Sequence, residues 1–381
     1  MTATTHAEQL AVAKPSRWDA VFDAEGSVRA IAVMRIAIGP ITLLHLRPFL
    51  RDARAGLSYT DHFWEPFVPW LPELPPALWF ALLWTGAVAA VLMAIGLWTR
   101  VATAIAFVVV AGNVLLSQTH FRHNRVFLSI LLLGLALLPA GRVLSVDAWR
   151  RRRRGREPLP DRALLWPLWL LRAQVCLVYF ASGFSKLIDP DWFGGLVLWD
   201  RVVRYRHVFD PTPLPEWAID VLTSRWLYYL VAPAAVITEL FIALGLWFAR
   251  TRLAAIWIAV VFHLAIEISA SVEVFSYAAI AGLAIWVTPT TGDRVLRLGG
   301  GPATRRVMGG LVGAVDWFGR FRIERAAAGE PAIVVEDRGG VVRSGPAAVQ
   351  LLLSRLPLTF VAAGPFRLLT SRRADPREAT A

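Results

Sequence analysis

One cysteine, Cys176, in 381 residues leaves no room for an intramolecular disulfide, a CxxC redox pair or a thiolate metal cluster. Charge is also scarce. Asp, Glu, Lys and Arg make up 18% of the chain, against roughly 25% in soluble domains. Hydrophobic residues make up 56%, and mean hydropathy is +0.52. So little polar surface cannot wrap a core of this size, which excludes the soluble enzyme classes and makes the lipid bilayer the expected partner. The net charge is +12, but the charges punctuate long apolar runs and do not interleave with polar residues, which argues against nucleic acid. A phosphate-cradling glycine loop, a G-x-S-x-G elbow and an H-E-x-x-H motif are all missing. Lysine is nearly absent: Lys14 and Lys186 are the two among 40 basic residues.

What the chain does have is apolar length. Stretches at about 28–47, 76–99, 101–119, 126–144, 164–186, 225–248, 253–271 and 273–289 approach the roughly 20 residues a helix needs to cross a bilayer. The expected fold is an all-α polytopic membrane protein of about eight transmembrane helices with a small cytoplasmic α+β tail. Residues 1–27 hold no apolar h-region, so no cleavable signal is expected. The block Arg150–Arg154 with Arg156 follows the fourth stretch and predicts that side to be cytoplasmic. Alternation then puts both termini in the cytoplasm of a cell (inner or plasma) membrane, although Arg122, Arg125 and the Arg201–Arg206 group fall outside. The run at 94–109 echoes that at 243–261, as in two parallel four-helix halves.

The expected division is a polar segment over 1–24, a transmembrane domain over 25–292, a basic amphipathic linker over 293–330 and a small segment over 331–381. Residues 308–322 are expected along the membrane face. The last segment reads as strand, tight turn and strand, then a helix from Pro346 to Arg355.

Ionisable residues within apolar spans are costly and therefore the first functional candidates. They are Arg35, His45, Arg172, Glu239, His263 and Glu267, with Lys186 at the outer end of the fifth span. Each also has a structural reading. Arg35 and Arg172 can pair with Glu239 and lock the bundle, and His45 can reach the interface. His263 and Glu267, four residues apart, share a helical face. Lys186 is either a snorkelling lysine or a general base, a role closed to arginine because guanidinium keeps its proton. His120 and His123 form an H-x-x-H pair without an evident third ligand, so no metal is expected.

Three segments together resemble a known family. "LLRAQVCLVYFASGFSKLIDPDW" (170–192) resembles the signature helix of vitamin K-dependent gamma-glutamyl carboxylase and its bacterial relatives, the HTTM (horizontally transferred transmembrane) proteins. "HNRVFLSILLLGLALLPAGRVLSVDAW" (123–149) is similar to the family's Asn-His segment, and "FHLAIEISASVEVFSY" (262–277) to its His-bearing helix. The resemblance implies that Lys186 is the base that deprotonates reduced vitamin K, or menaquinol in a bacterial membrane. Oxygenation of the vitamin to its epoxide would then drive removal of a glutamate γ-proton and addition of carbon dioxide at the exoplasmic face. His263 matches the helix histidine. The Asn-His dipeptide is inverted here to His123-Asn124, so Asn124 stands at the expected histidine position. Arg172, Gln174, Tyr179 and Glu267 are the candidate cofactor contacts, and a secreted peptide or protein is the implied substrate. The tail resembles the end of a DCC-type thiol-oxidoreductase domain without its cysteines. The alternatives are a non-carboxylating maturation or export factor for a secreted peptide, and a membrane transporter or binding protein.

Overall fold

The computed structural model describes residues 24–57, 65–116, 118, 121–164, 166–204, 215–270, 274–287, 294–337, 339–359 and 363. Lys14, His120 and Arg206, named above, lie outside them. A short strand β1 (Glu25–Ser27) leads into α1 (Arg29–Arg54), α2 (Pro76–Ile95), α3 (Thr99–Leu116), α4 (His123–Leu137) and α5 (Val146–Arg153). Strand β2 (Arg162–Leu164) pairs antiparallel with β1. Then come α6 (Trp166–Ile188), the short α7 (Pro190–Phe193), α8 (Leu196–Arg204), α9 (Glu216–Thr223), α10 (Arg225–Gly245), α11 (Arg252–Ala270) and α12 (Phe275–Gly282), which runs into a 3-10 turn at Leu283–Trp286.

Five of these helices, α1, α2, α3, α6 and α10, are long and apolar enough to cross a membrane. Their outer surfaces carry Trp84, Val88, Val108, Leu170, Leu177, Ile237 and Leu244 exposed, a pattern that water would penalise and lipid does not. Two expected spans are shorter as helices than as apolar runs. The stretch at 126–144 is helical only to Leu137, because Pro139 disfavours helical geometry at Leu138, whose backbone is extended. In the stretch at 273–289, the described residues 274–287 hold eight helical residues and the 3-10 turn.

Both short elements are held at their ends by a buried arginine. Arg35 donates from Nη1 to Ala140 O at 2.9 Å and from Nη2 to Leu144 O at 2.5 Å, beyond the end of α4. Arg172 donates from Nε and Nη2 to Ile285 O at 3.0 and 2.6 Å, in the turn after α12. Each guanidinium thus satisfies carbonyls that lack helical partners. Neither pairs with Glu239, which corrects the bundle-lock expectation: the charge-free helix ends offer acceptors, and Glu239 is engaged elsewhere.

The two arginines occupy the same place in two similar halves. Arg35 is the seventh residue of α1 and Arg172 the seventh of α6. In one half α1 packs on α2, α2 on α3 and α3 on α4; in the other α6 packs on α10, α10 on α11 and α11 on α12. Helices α1, α4, α6 and α12 meet between the halves. Helix α2 opens on Pro76, whose fixed φ suits a first helical position, and ends at Gly96 with φ 73°. A Cβ at Gly96 would collide with Arg35 and Ser145, so the turn closes directly on the clamp. Asp147 then caps α3, accepting from Trp98 N, Thr99 N and Thr99 Oγ1, each at 3.0 Å. Replacing Asp147 by alanine is expected to cost about 1–2 kcal/mol, the upper part of the N-cap range because several donors are lost together; thermal unfolding in detergent measures it.

Residues 294–330, within the stretch expected as a linker from 293 to 330, fold together with the segment that follows. Strand β3 (Arg294–Leu298), α13 (Pro302–Val315) and β4 (Phe321–Arg325) form a parallel βαβ unit. Strand β5 (Ile333–Glu336) pairs antiparallel with β3, and β6 (Val342–Ser344) with β5, so the sheet order is β4-β3-β5-β6. Helix α14 (Gly345–Arg355) lays Ala348, Leu351 and Leu352 on Leu296, Leu298 and Val335 in a core of their own. The strand–turn–strand and the final helix follow the sequence reading. Helix α13 packs its Val312 into that core.

Candidate functional site

Helix α6 presents Tyr179, Ser182, Gly183 and Lys186 at spacings of three and four, which places them on one face. Glycine at 183 lets α10 come close: a Cβ there would stand 3.1 Å from Leu240 and 3.2 Å from Glu239. Lys186 Nζ lies 2.6 and 2.8 Å from the two carboxylate oxygens of Glu239 and donates to Ser182 Oγ at 2.9 Å. Ser182 donates in turn to Glu239 Oε1 at 3.2 Å. The indole of Trp192, in α7, covers the ammonium at 4.9 Å, a favourable cation–π placement. The Lys186 side chain is 19% exposed and that of Glu239 7%, so this is a largely buried ion pair.

Its burial has a topological cause. Lys186 is two residues from the end of α6, whereas Glu239 is 14 from the start of α10. The antiparallel helices are therefore staggered, and the first half of α10 packs on α7 and α8. Gly195, with φ 77°, comes into contact with the backbone of Tyr228 there. The chain after Lys186 continues alongside α10 and does not turn away into solvent. A lysine that the sequence puts at a helix end is thereby enclosed, and the snorkelling geometry is not the one adopted.

A second polar pair stands two helical turns away on α6. Tyr179 OH lies 2.7 Å from His263 Nε2 of α11. His263 is fully buried, with its ring against Phe262 and Phe275 at 5.5 Å each. Its Nδ1 is buried without a hydrogen-bond partner. Glu267, one turn further along α11, is half-buried and leaves Oε2 unpartnered. Tyr179→Phe would strand Nε2 as well, and is expected to cost about 1–3 kcal/mol of stability. A loss below about 0.5 kcal/mol on thermal unfolding would show the contact to be dispensable.

The other expected site residues lie elsewhere. Arg172 and Gln174 are 14 and 12 residues from Lys186 on α6, about 21 and 18 Å at the helical rise. Arg172 is occupied at Ile285 and lies between the rings of Trp169 and Trp286, at 5.3 and 5.0 Å; Gln174 is half-buried. His123 opens α4, exposed, against Phe121 at 5.3 Å. Asn124 is buried and accepts from Arg125 N at 2.9 Å. Among the described residues, no hydrogen bond or ion pair joins His123 or Asn124 to Lys186 or His263. His45 is buried beside Phe49, at 5.4 Å, and does not reach an interface.

Glu239 is the site residue that sequence reasoning misassigned. Its signal was present as the lone acid of α10, but the helical stagger that selects Lys186 over an arginine is a tertiary property. The internal repeat adds a further argument. Counting from the arginine clamps, Lys186 corresponds to Phe49; counting from the Gly96 and Gly245 turns, Glu239 corresponds to Ala90. The four-helix half is thus built in one copy without either charge.

Comparison with known proteins is consistent with this architecture. The family model for the HTTM domain matches residues 26–290. No solved structure matches the chain.

Proposed function

The chain belongs to the HTTM family and is a multi-pass membrane protein, and from that premise we propose that it is a hydroquinone-dependent membrane oxygenase or carboxylase whose base is Lys186. The observation that carries the reading is the buried Lys186–Glu239 pair, which only one half of the repeat possesses. An enclosed lysine contacted by both oxygens of a carboxylate has a place to send a proton.

The donor set fits reduced vitamin K or menaquinol on a specific point: His263 Nδ1 is a buried polar atom without a partner, and aromatic rings surround it. Such a hydroquinone supplies an acidic phenolic hydroxyl and the electrons for dioxygen chemistry. Lys186 would first pass its proton to Glu239 and then accept the phenolic proton at Nζ, leaving an ammonium beside a neutral carboxyl that can release its proton onward, while Ser182 holds both in place. Trp192 shields the pair from water, which strengthens its electrostatics. Tyr179 fixes the ring of His263, leaving Nδ1 for a ligand hydroxyl. His123 and Asn124 stand apart from this relay, so a role for them belongs to the second substrate, a secreted peptide or protein.

We read α4, α11 and α12 with its 3-10 turn as completing eight crossings. Their short ends are tolerable because Arg35 and Arg172 supply the missing hydrogen bonds. The Arg150–Arg154 block supports cytoplasmic termini in a bacterial cell membrane. The βαβββα tail supports kinship with a DCC-type domain stripped of its thiol chemistry, since the sole cysteine, Cys176, lies in α6.

The test is epoxide formation by membranes containing the protein, supplied with vitamin K hydroquinone or menaquinol and oxygen. Product above that of empty membranes is expected. None from well-folded protein would overturn the oxygenase reading and leave peptide maturation or ligand binding to account for the site.

A further inference from the structure

At the bundle end where α1 and α6 begin and α2 and α4 finish, the structure holds a cavity of about 600 Å³. Its walls are the turn before α3, the segment from Gly141 through α5, and the approach to β2. Seven arginines line it: Arg29, Arg142 and five of the 150–156 block. Two carboxylates oppose them, Asp147 and Asp161. Asp147 is committed to the cap of α3.

The arginines are not neutralised by one another's neighbours. Among the described residues none of the seven forms an ion pair. Arg142 donates from Nη1 to Arg162 O at 3.0 Å, and Arg151 from Nε to Glu157 O at 2.6 Å. Those bonds orient the two guanidinium groups through backbone carbonyls, not through carboxylates. Arg29 has its Nε buried without a partner. The cavity is also braced from the tail, since a Cβ at Gly319 would stand 3.0 Å from the Arg29 guanidinium carbon.

We propose that this cavity binds a phosphate-bearing anion through its arginine wall. Guanidinium groups recognise phosphate oxygens in bidentate fashion, and a concave wall converges several of them on one anion. The source of the phosphate is an anionic phospholipid headgroup or a free inorganic anion. The setting favours the lipid: Trp98 (62% exposed) and Trp149 (49%) stand beside the cavity, as tryptophans do at membrane interfaces, and the apolar helices end at this level. A basic pocket between membrane helices is the expected receptor for such a headgroup. The inference is independent of the Lys186 chemistry.

The experiment titrates full-length protein in detergent with short-chain phosphatidylglycerol, with phosphatidylcholine of equal chain length, and with inorganic phosphate. Phosphatidylglycerol is expected to bind saturably and at least tenfold more tightly than phosphatidylcholine. The triple variant Arg29→Gln/Arg150→Gln/Arg151→Gln, checked for wild-type elution and Tm, is expected to weaken it at least tenfold. Arg305→Gln/Arg306→Gln on α13 removes two basic charges outside the cavity and is expected to leave binding unchanged. Should the triple variant misfold, the single variant Arg150→Gln replaces it, with a threefold loss expected. Phosphate binding as tightly as the lipid, with the same loss in the cavity variant, keeps the site and assigns it to the free anion. Equal affinity for the two lipids, or equal loss in the α13 variant, would overturn the proposal.

Discussion

Membranes carrying Lys186→Ala are expected to form hydroquinone epoxide at least about a hundredfold more slowly than wild type, the range for loss of a positioned general base. Nζ is the atom at stake, 2.6 and 2.8 Å from the Glu239 oxygens. Alanine also strands a buried carboxylate, so a slow variant could simply be a poorly folded one. Lys186→Arg separates the two causes. It keeps a cation for Glu239, but guanidinium does not give up its proton near neutral pH, so the fold should persist while the rate falls as in the alanine variant. Wild-type turnover by Lys186→Arg would refute the base assignment, whatever the alanine variant does.

Glu239→Leu is expected to lower stability by about 3 kcal/mol, the lower end of the range for removing one partner of a buried ion pair. The lower end applies because the Lys186 side chain retains 19% exposure. What remains around the ammonium is the Ser182 hydroxyl and the face of Trp192, neither of which balances its charge. The double variant Lys186→Met/Glu239→Leu should recover most of the loss, since two apolar side chains of similar volume carry no desolvation penalty. Thermal unfolding of the four proteins completes the cycle. A single-variant loss that the double variant fails to recover would mean that Glu239 acts through packing, not charge.

The two experiments address the same pair from different sides. Recovery of stability without recovery of epoxide formation in the double variant is the combination expected of a functional charge pair. The repeat supports that expectation, because the corresponding positions Phe49 and Ala90 show that the helical half does not need the charges to fold.

The membrane class and the helical character were legible in the sequence. Apolar length is a local property, so α1, α2, α3, α6 and α10 stood where the hydropathy put them. Proline chemistry is local too, yet its effect at Leu138 was hidden because apolar residues continue past Pro139. The tail shows the opposite limit. Strand β3 was unreadable as a strand because its partners, β4 and β5, come from 23 or more residues away.

The sequence by itself determined that this protein dissolves in lipid, that its spare lysine sits near a helix end, and that His263 and Glu267 share a face, since burial class and helical spacing follow from residue order. The tertiary structure alone decided that Lys186 meets Glu239, that Arg35 and Arg172 clamp helix ends, and that seven arginines enclose a cavity. Those outcomes depend on helical stagger and on which carbonyls are left unsatisfied, and both are set by packing between segments far apart in the chain, 113 residues for the Arg172 clamp.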